Sequence, residues 1–232
     1  MAETTINTYS DQSVQIIECP SGWAKTGYSF KEWNTLADGS GTKYDPNQYV
    51  WMNGNETLYA QWQPNTYTIT LNPNGGTVSP STLSIIYGGT FSGLPTPTKP
   101  YNSFQGWYTE IAGGNLITSE STMNVAADMT LYARWTVNVR TITFNSNGGS
   151  AVAAITQEAG TSVTAPTNPT KSGYIFGKWN PAVPSIMPDR DMTCTAVWRL
   201  RKVSTVEFQL KSTNNEGPWS SAIFTNIPAG TY

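Results

Sequence analysis

The feature that most constrains the fold of this chain is an internal repeat, in which three anchors recur in the same order. The first anchor is a strand-like segment that ends in Asn-Gly-Gly, at residues 68–76 and again at residues 141–149. The second anchor is Phe-x-x-Trp, and its tryptophans are Trp33, Trp107 and Trp179. The third anchor is a closing segment that ends in Ala-x-Trp, at Trp62, Trp135 and Trp198. Ordered anchors do not recur like this by chance, so the sequence predicts a tandem array of three repeats.

The anchors themselves predict β-structure. Residues 68–71 read Thr-Ile-Thr-Leu, and this polar–apolar alternation is typical of a half-buried strand. The Asn-Gly-Gly that follows tolerates the positive φ angles of a tight reversal. In the closing segment Leu131, Ala133 and Trp135 fall on one face of a strand, where they would form an aromatic core with Trp107 and Phe104.

Proline-rich links separate the anchors, at residues 94–100 and 165–171. Proline cannot donate to a central ladder, so these links are predicted to be extended connections between strand pairs. A short helical turn is predicted in the Gly-rich stretch from Tyr87 to Leu94. The predicted fold class is therefore mainly β, built from small α+β modules.

Together the Asn-Gly-Gly turn, the Pro-containing link, Gly-Tyr-x-Phe-x-x-Trp and Leu-Tyr-Ala-x-Trp resemble the Listeria–Bacteroides repeat, the B-repeat of internalin-type surface proteins. The resemblance covers residues 1–199 and is closest over residues 66–136. It implies β-grasp-like modules, each a mostly antiparallel sheet with one short helix or loop packed across it. It also implies stalks and adhesion-associated domains of secreted or surface-anchored bacterial proteins, with no catalytic residues to transfer.

Four segments follow from this reading. They are module 1 (residues 1–63, opening strand missing), module 2 (residues 66–136), module 3 (residues 140–199, shortened) and a C-terminal segment (residues 203–232). The C-terminal segment resembles half of a sandwich repeat of bacterial surface adhesins, so a partial β-sandwich-like module is predicted there. In module 1 the stretch Tyr9–Ile17 is predicted to match the second strand of module 2.

The two incomplete segments predict open sheet edges. Module 1 lacks an opening strand, and the C-terminal segment has few strands to bury its apolar residues. We expect the missing strands either in a longer parent chain or in another chain that donates them, which would produce strand-sharing self-association. The N-terminal residues also lack the pattern of a signal peptide.

Composition argues against an enzyme. The chain contains no His, which removes the commonest general base and metal ligand. Cys19 and Cys194 belong to different modules, so two free thiols are favoured over a disulfide. The nearest carboxylates for glycoside hydrolysis are Asp189, Asp191 and Glu110, and each lies in a turn-like segment where Asp favours bonds to its own backbone. A calcium site at Asp189 and Asp191 would need more oxygen ligands than the local sequence supplies. No catalytic residue, cofactor or metal site is predicted.

Charge and hydropathy exclude two classes of partner. The net charge is −2 and the 13 Lys and Arg residues are scattered, so no basic stripe for nucleic acid exists. No apolar stretch is long enough to span a bilayer, so direct membrane insertion is not predicted.

Aromatic residues remain as candidate contacts with a protein or glycan ligand. The six anchor tryptophans are predicted to be core residues because they recur with the repeat. The aromatic residues that lie outside the anchors, and are therefore candidates for exposure, are Trp23, Trp51, Tyr108 and Trp219.

These observations favour a non-enzymatic spacer and adhesion segment at the bacterial cell surface. One alternative is a phage virion protein, a fibre or capsid decoration, that uses the same modules. A second alternative is a carbohydrate-binding appendage of a larger enzyme. The reading frame on either side would separate them, since a wall anchor favours the first and neighbouring capsid genes favour the second.

Overall fold

The computed structural model describes residues 3–6, 12–52, 54–202, 204–210 and 220–227. Within these ranges every regular element is a β-strand. The predicted mainly β class is confirmed, whereas the helix implied by the family resemblance is not found among the described residues. The chain forms two compact units, residues 1–136 with modules 1 and 2, and residues 137–232 with module 3 and the C-terminal segment.

Module 2 is the complete repeat. Its strands are β7 (Thr66–Asn72), β8 (Thr82–Ile86), β9 (Asn102–Tyr108), β10 (Leu116–Ile117) and β11 (Met129–Val137). They form one sheet in the order β10-β9-β11-β7-β8. The opening strand β7 runs parallel to the closing strand β11, with Leu71 opposite Leu131, and antiparallel to β8. The centre of the sheet is thus a parallel pair.

The core of module 2 lies under this sheet. Alternate residues of β7 and β11 point inward, as the sequence pattern predicts, and the buried side chains are Ile69, Leu71, Ile85, Phe91, Trp107, Met123, Leu131 and Ala133. Phe91 comes from the stretch predicted to be a helical turn. That prediction is wrong, because Gly88 and Gly93 adopt positive φ and Thr90 bridges Thr122 in an extended conformation.

Module 3 repeats this plan with fewer strands. Its strands are β12 (Val139–Asn145), β13 (Ile155–Glu158), β14 (Tyr174–Asn180) and β15 (Met192–Leu200), in the order β13-β12-β15-β14. The opening strand β12 is again parallel to the closing strand β15, with Phe144 opposite Cys194. Beyond it, β16 (Ser204–Leu210) and β17 (Ser220–Ile227) form an antiparallel pair in the segment predicted to begin a sandwich.

Module 1 departs from the repeat at its N-terminal side. Its strands are β1 (Glu3–Ile6), β2 (Gln12–Gln15), β3 (Tyr28–Asn34), β4 (Lys43–Tyr44), β5 (Tyr49–Met52) and β6 (Glu56–Pro64). The sheet has the order β1-β6-β3-β4, and among the described strands β2 pairs with β5 alone. Strand β1 lies directly on the closing strand β6, antiparallel, with Thr4 opposite Leu58.

This pairing corrects two expectations. The edge of β6 was predicted to be uncovered, but β1 pairs with it. The stretch Tyr9–Ile17 was predicted to match the second strand, but its described part β2 pairs with β5, the strand that ends at the buried Met52. In module 2 the residues before the buried Met123 are bridged instead by Thr90, which follows the second strand. Strand β2 therefore corresponds to the stretch around Thr90, which follows the second strand of module 2.

Candidate interaction surfaces

In module 2 the Asn-Gly-Gly turn is held against the closing tryptophan. The side-chain amide of Asn74 donates to the carbonyl of Ala133 at 3.2 Å, and the indole N–H of Trp135 donates to the carbonyl of Pro73 at 3.0 Å. Lys99 Nζ donates to the carbonyl of Asn74 at 3.2 Å. A Cβ on Gly76 would lie 2.8 Å from Trp135 Cζ2, so only glycine fits beside the ring. We call this arrangement the turn clasp.

Module 3 contains the same turn clasp, built by the corresponding Asn, Trp and Lys of that module. Asn147 donates to the carbonyl of Ala196 at 3.3 Å, and the indole of Trp198 donates to the carbonyl of Ser146 at 3.0 Å. Lys171 Nζ donates to the carbonyl of Asn147 at 2.8 Å. These bonds make the clasp a structural device that holds the opening strand against the closing strand.

The Phe-x-x-Trp tryptophans differ in how their indole N–H groups are satisfied. Trp33 donates to the carbonyl of Ile17 and Trp107 to that of Pro95, each at 2.9 Å. The buried indole nitrogen of Trp179 has no hydrogen-bond partner among the described residues. In module 3 residues 164–169, which include most of the Pro-rich link, line a groove of about 460 Å³ together with residues 150–155.

Two of the carboxylates considered in the sequence, Asp189 and Asp191, serve the fold of module 3. Asp189 accepts from the Asn138 amide at 2.8 Å and pairs with Arg140 at 3.0 Å. The hydrogen bond from Asn138, followed by the bonds and charge of Arg140, holds the pKa of Asp189 below its usual range. Asp191 accepts a hydrogen bond from the backbone N–H of Thr141 at 2.8 Å, and this bond holds the first residues of the opening strand β12 against Asp191. In the part of the chain that the structure describes, no three potential metal-ligating side chains lie together.

Both cysteines are free thiols. Cys194 is fully buried in the core of module 3, and this burial raises the pKa of its thiol. Cys19 is half-buried, and burial followed by the charge of Glu18 raises its thiol pKa. Raised pKa values disfavour the thiolate, so the local chemistry of neither residue is that of a nucleophile.

Three of the four candidate contact residues lie in described parts of the chain, and two of those are partly covered. Trp23 packs edge-on against Trp33 with ring centroids 5.8 Å apart. Tyr108 lies under the guanidinium of Arg134, 3.8 Å from the ring centroid. Trp219 lies outside the described residues.

Trp51 is the candidate that the structure leaves open to solvent. It is 74% exposed, and Tyr49, two residues earlier on β5, is 69% exposed. Ser13 and Gln15 stand opposite these residues on β2 and are also exposed. We call these four residues the aromatic ribbon face. Tyr49 was missed in the sequence, although the alternation Tyr-Val-Trp-Met places both aromatic rings on one face of a strand.

A second surface is the joint between modules 1 and 2. The rings of Tyr28 and Tyr87 pack edge-on at 5.6 Å. Asn65, which lies between β6 and β7, donates its N–H to the carbonyl of Gly27 at 2.9 Å and accepts from the N–H of Tyr87 at 2.8 Å. Gly27 has a positive φ of 78°, and a Cβ there would run into the Tyr87 ring. One residue from the link thus bonds both modules.

A known family of repeats matches the sequence of all three modules. The Listeria-Bacteroides repeat domain matches residues 2–61, 67–134 and 141–183, and the chain belongs to this family of repeats of bacterial surface proteins. The resemblance seen in the sequence is thereby confirmed. The described part of the chain contains no helix that is long and apolar enough to cross a membrane.

Relatives include two proteins of Evansella cellulosilytica. One, described as a Gly-rich membrane protein, is 37% identical over 183 residues, which are 74% of this chain and 21% of that protein. The other, described as a membrane protein, is 36% identical over 167 residues, which are 71% of this chain and 24% of that protein. This chain therefore spans about a fifth to a quarter of the length of these relatives.

Internalin H of Listeria monocytogenes is 32% identical over 124 residues, which are 53% of this chain and 22% of that protein. A solved structure of two streptococcal SHIRT repeats from a cell surface protein aligns with 58% of this chain and 98% of its own, at 15% identity. Its TM-score of 0.20 is too low to support an argument about the fold.

Proposed function

We propose that this chain is a non-enzymatic spacer and adhesion segment of a bacterial cell-surface protein. The joint between modules 1 and 2 is the observation that carries the spacer role. A linker without tertiary contacts would let the modules reorient freely. Here Tyr28 packs on Tyr87 and Asn65 bonds both modules. These contacts restrict the angle between the modules, as a spacer requires.

The aromatic ribbon face supports the adhesion role. Exposed Trp and Tyr side chains supply large contact areas at protein interfaces and rank high among residues that carry binding energy. Trp51 and Tyr49 share one exposed face, and the opposite face of the ribbon packs on the core through Met52 and Val50. Exposure of both rings therefore removes no buried side chain from the core of module 1. The surface-protein hypothesis is also favoured over a virion protein by the relatives, which are membrane proteins and an internalin.

The spacer role is tested by measuring the distance between modules 1 and 2. Spin labels are attached through unnatural amino acids at the exposed residues Lys43 and Glu120, which leaves both cysteines unchanged. We expect a narrow distance distribution in the whole chain. Gly27→Val, whose side chain would displace Tyr87, and Tyr87→Ala, which removes the ring, should both broaden it.

Gly173→Val is the matched control for the joint. Gly173 has the same φ of 78° and the same place in its repeat as Gly27, but a Cβ there meets nothing within 4 Å. It should leave the distribution between modules 1 and 2 unchanged. A broad distribution in the unmodified chain would contradict the spacer role.

The adhesion role is tested by ligand capture. Trp51→Ala and Tyr49→Ala should each weaken binding to host-cell proteins or glycans about tenfold or more, the usual effect of removing an anchor ring. Leu36→Ala removes an apolar side chain that is 51% exposed elsewhere in module 1, so it is the control. Capture of glycans alone would support the carbohydrate-binding alternative, and equal binding by all variants would rule out the aromatic ribbon face.

A further inference from the structure

We propose that the outer edge of strand β5 is a contact between two copies of this chain, in which β5 of one copy pairs antiparallel with β5 of the other. In this pair Tyr49 of each copy stands opposite Trp51 of the other copy. The contact rests on the adhesion role proposed for the aromatic ribbon face and gives that role a specific partner, a second copy of the chain.

One edge of β5 has no neighbouring strand. Strands β2 and β5 form a two-stranded sheet of their own, and no other described strand pairs with either of them. Tyr49 and Trp51 are 69% and 74% exposed, so solvent reaches this part of β5. An open strand edge presents unpaired N–H and C=O groups, and another strand can pair with them.

The main-chain groups of Tyr49 and Trp51 point toward this open edge. In an antiparallel ladder, residue pairs that exchange hydrogen bonds alternate with pairs that do not. The N–H of Ile16 donates to the carbonyl of Gln48 at 2.9 Å, so these two residues form a bonded pair. Tyr49 and Trp51 lie one and three residues further along β5 and therefore belong to the non-bonded pairs. Their N–H and C=O groups are thus directed away from β2.

These two residues are complementary to themselves under a twofold axis. When two copies of β5 pair antiparallel about Val50, the outward groups of Tyr49 meet those of Trp51 in the second copy, and symmetry forms the reverse pair. Each copy then donates the N–H groups of both residues and accepts through both of their carbonyls. Such a contact is isologous, because the same surface of both copies is used.

The side chains fit the same register. Residues directly opposite on antiparallel strands lie on one face of the sheet, with Cβ atoms about 4.5–5.5 Å apart. A Tyr–Trp pair would therefore form on each side of the twofold axis, and aromatic pairs are favourable cross-strand neighbours. Val50 and Met52 stay on the core face of module 1. The contact thus covers both exposed rings without disturbing the core.

Strand β5 also lacks the features that protect other sheet edges from pairing, which include short length, bulges, charge and Pro. Strands β4 and β10 have only two residues each, and β14 has a register shift between Phe176 and Lys178. Strand β8 is an uncharged edge, but it exposes Thr82 and Ser84 in place of aromatic rings. Strand β5 reads Tyr-Val-Trp-Met, with neither charge nor Pro. The net charge of −2 adds little repulsion between copies.

The test measures self-association of the whole chain by sedimentation equilibrium. Because a four-residue strand buries little surface, we expect a weak, reversible dimer with a Kd of about 0.1–1 mM. Tyr49→Ala and Trp51→Ala should each raise the Kd about tenfold, since each removes a ring from both Tyr–Trp pairs. Ile86→Ala is the control, because it removes an apolar side chain that is 50% exposed on the edge strand β8. It should leave the Kd unchanged.

Two charged variants test the register. Tyr49→Lys alone and Trp51→Glu alone each place a charge against a ring in both symmetric positions, so each should weaken self-association. In an equimolar mixture the new Lys of one copy stands opposite the new Glu of the other, and the second position keeps a Tyr–Trp pair. The mixture should therefore associate more tightly than either variant alone.

Amide exchange measured by NMR gives a residue-level readout. The amides of Tyr49 and Trp51 should exchange more slowly as the concentration of the chain rises. Those of Val50 and Met52 face β2 and should change little. Circular dichroism and the exchange of Leu58 in the core of module 1 confirm that each variant folds.

A chain that is monomeric at about 1 mM would overturn the proposal. A dimer that Ile86→Ala weakens as much as Trp51→Ala would overturn it too, as would a mixture of charged variants with no gain in association. The adhesion role fails separately. If Trp51→Ala loses capture of host ligands while the unmodified chain stays monomeric, the adhesion role stands and only the second copy is excluded as its partner.

Discussion

Modules 1 and 2 share the Phe-x-x-Trp and closing-strand anchors but complete their sheets in different ways. In module 2 the opening strand β7 lies between β11 and β8, and the turn clasp locks it to Trp135. In module 1 the four-residue strand β1 lies directly on β6 and is antiparallel to it. The anchors therefore specify the antiparallel pair formed by the Phe-x-x-Trp strand and the closing strand. The strand on the other side of the closing strand differs between the two modules.

The cores reflect this difference. The core of module 2 includes Ile69 and Leu71, which the opening strand supplies. Among the described residues of module 1, the buried core is Ile16, Trp33, Met52 and Leu58, with Trp23 packed against it. Ile16 and Trp23 come from the segment before the Phe-x-x-Trp strand. The comparison shows that apolar side chains from different segments surround the corresponding tryptophans of the two modules.

The largest difference between the modules is expected in amide hydrogen exchange. The amides of Ile69 and Leu71 lie in the centre of a five-stranded sheet, whereas Thr4 and Thr5 lie in an edge strand. Local opening free energies range from near zero to the full unfolding free energy, and we expect the two strands to differ by about 3 kcal/mol or more. Exchange measured by NMR or mass spectrometry checks this. Equal protection of β1 and β7 would mean that the two ways of closing the sheet are equally stable.

The next largest effect is expected at the turn clasp. Gly76→Val should destabilise module 2 by about 1–3 kcal/mol, the usual cost of overpacking, because its Cβ would meet the carbonyl of Thr98 and the ring of Trp135. Urea unfolding checks this value. Gly22→Val in module 1 is the control, since a Cβ there meets nothing within 4 Å. A neutral Gly76→Val would show that the turn does not need to approach the ring.

A smaller effect separates the Phe-x-x-Trp tryptophans. Trp33→Phe and Trp107→Phe each lose a hydrogen bond to a backbone carbonyl, at Ile17 and Pro95, in addition to ring volume. Trp179→Phe loses volume alone, because its indole nitrogen has no partner among the described residues. The first two should therefore cost about 1 kcal/mol more than the third in thermal or urea unfolding. Three equal costs would contradict the role of the hydrogen bond in modules 1 and 2.

The smallest effect is a pH dependence at Asp38 in module 1. Asp38 accepts hydrogen bonds from the side chain and backbone of Ser40, and these bonds lower the pKa of its carboxyl group. The stabilisation is present above the unfolded pKa of about 4 and is lost as the pH falls through the lower folded value. The protection factor of the Ser40 amide, its exchange rate corrected for the intrinsic pH dependence, should therefore fall at low pH, and Asp38→Asn should reduce that change. An unchanged pH response in Asp38→Asn would assign the effect to another group.

Much of the fold could be predicted because the relevant signals are local. The anchors located three modules, each with its own buried tryptophan, namely Trp33, Trp107 and Trp179. The polar–apolar alternation of residues 68–71 correctly placed Ile69 and Leu71 in the core. These predictions succeeded because the face of a strand depends only on the residue pattern within that strand.

The candidate sites were predicted less completely. Trp23, Trp51 and Tyr108 are all outside the repeated anchors, but the sequence could not tell which of them has a neighbour. Arg134 covers Tyr108 from the next strand of the sheet, and Trp33 covers Trp23. Trp51 stays exposed because β5 pairs only with β2 and turns its other face to the core. Such cover depends on residues that are distant in the sequence.

The sequence by itself determined the number of modules, the buried tryptophan of each module and the turns that need glycine, because these depend on residue type and short-range spacing. Only the tertiary structure decided that opening and closing strands pair in parallel in modules 2 and 3, that β1 pairs antiparallel with β6, and that Asn65 bonds both modules 1 and 2. A period-two pattern specifies which face of a strand is buried. It does not specify which strands pair with it, because almost any backbone can supply the ladder hydrogen bonds. The choice of neighbour is made by long-range packing.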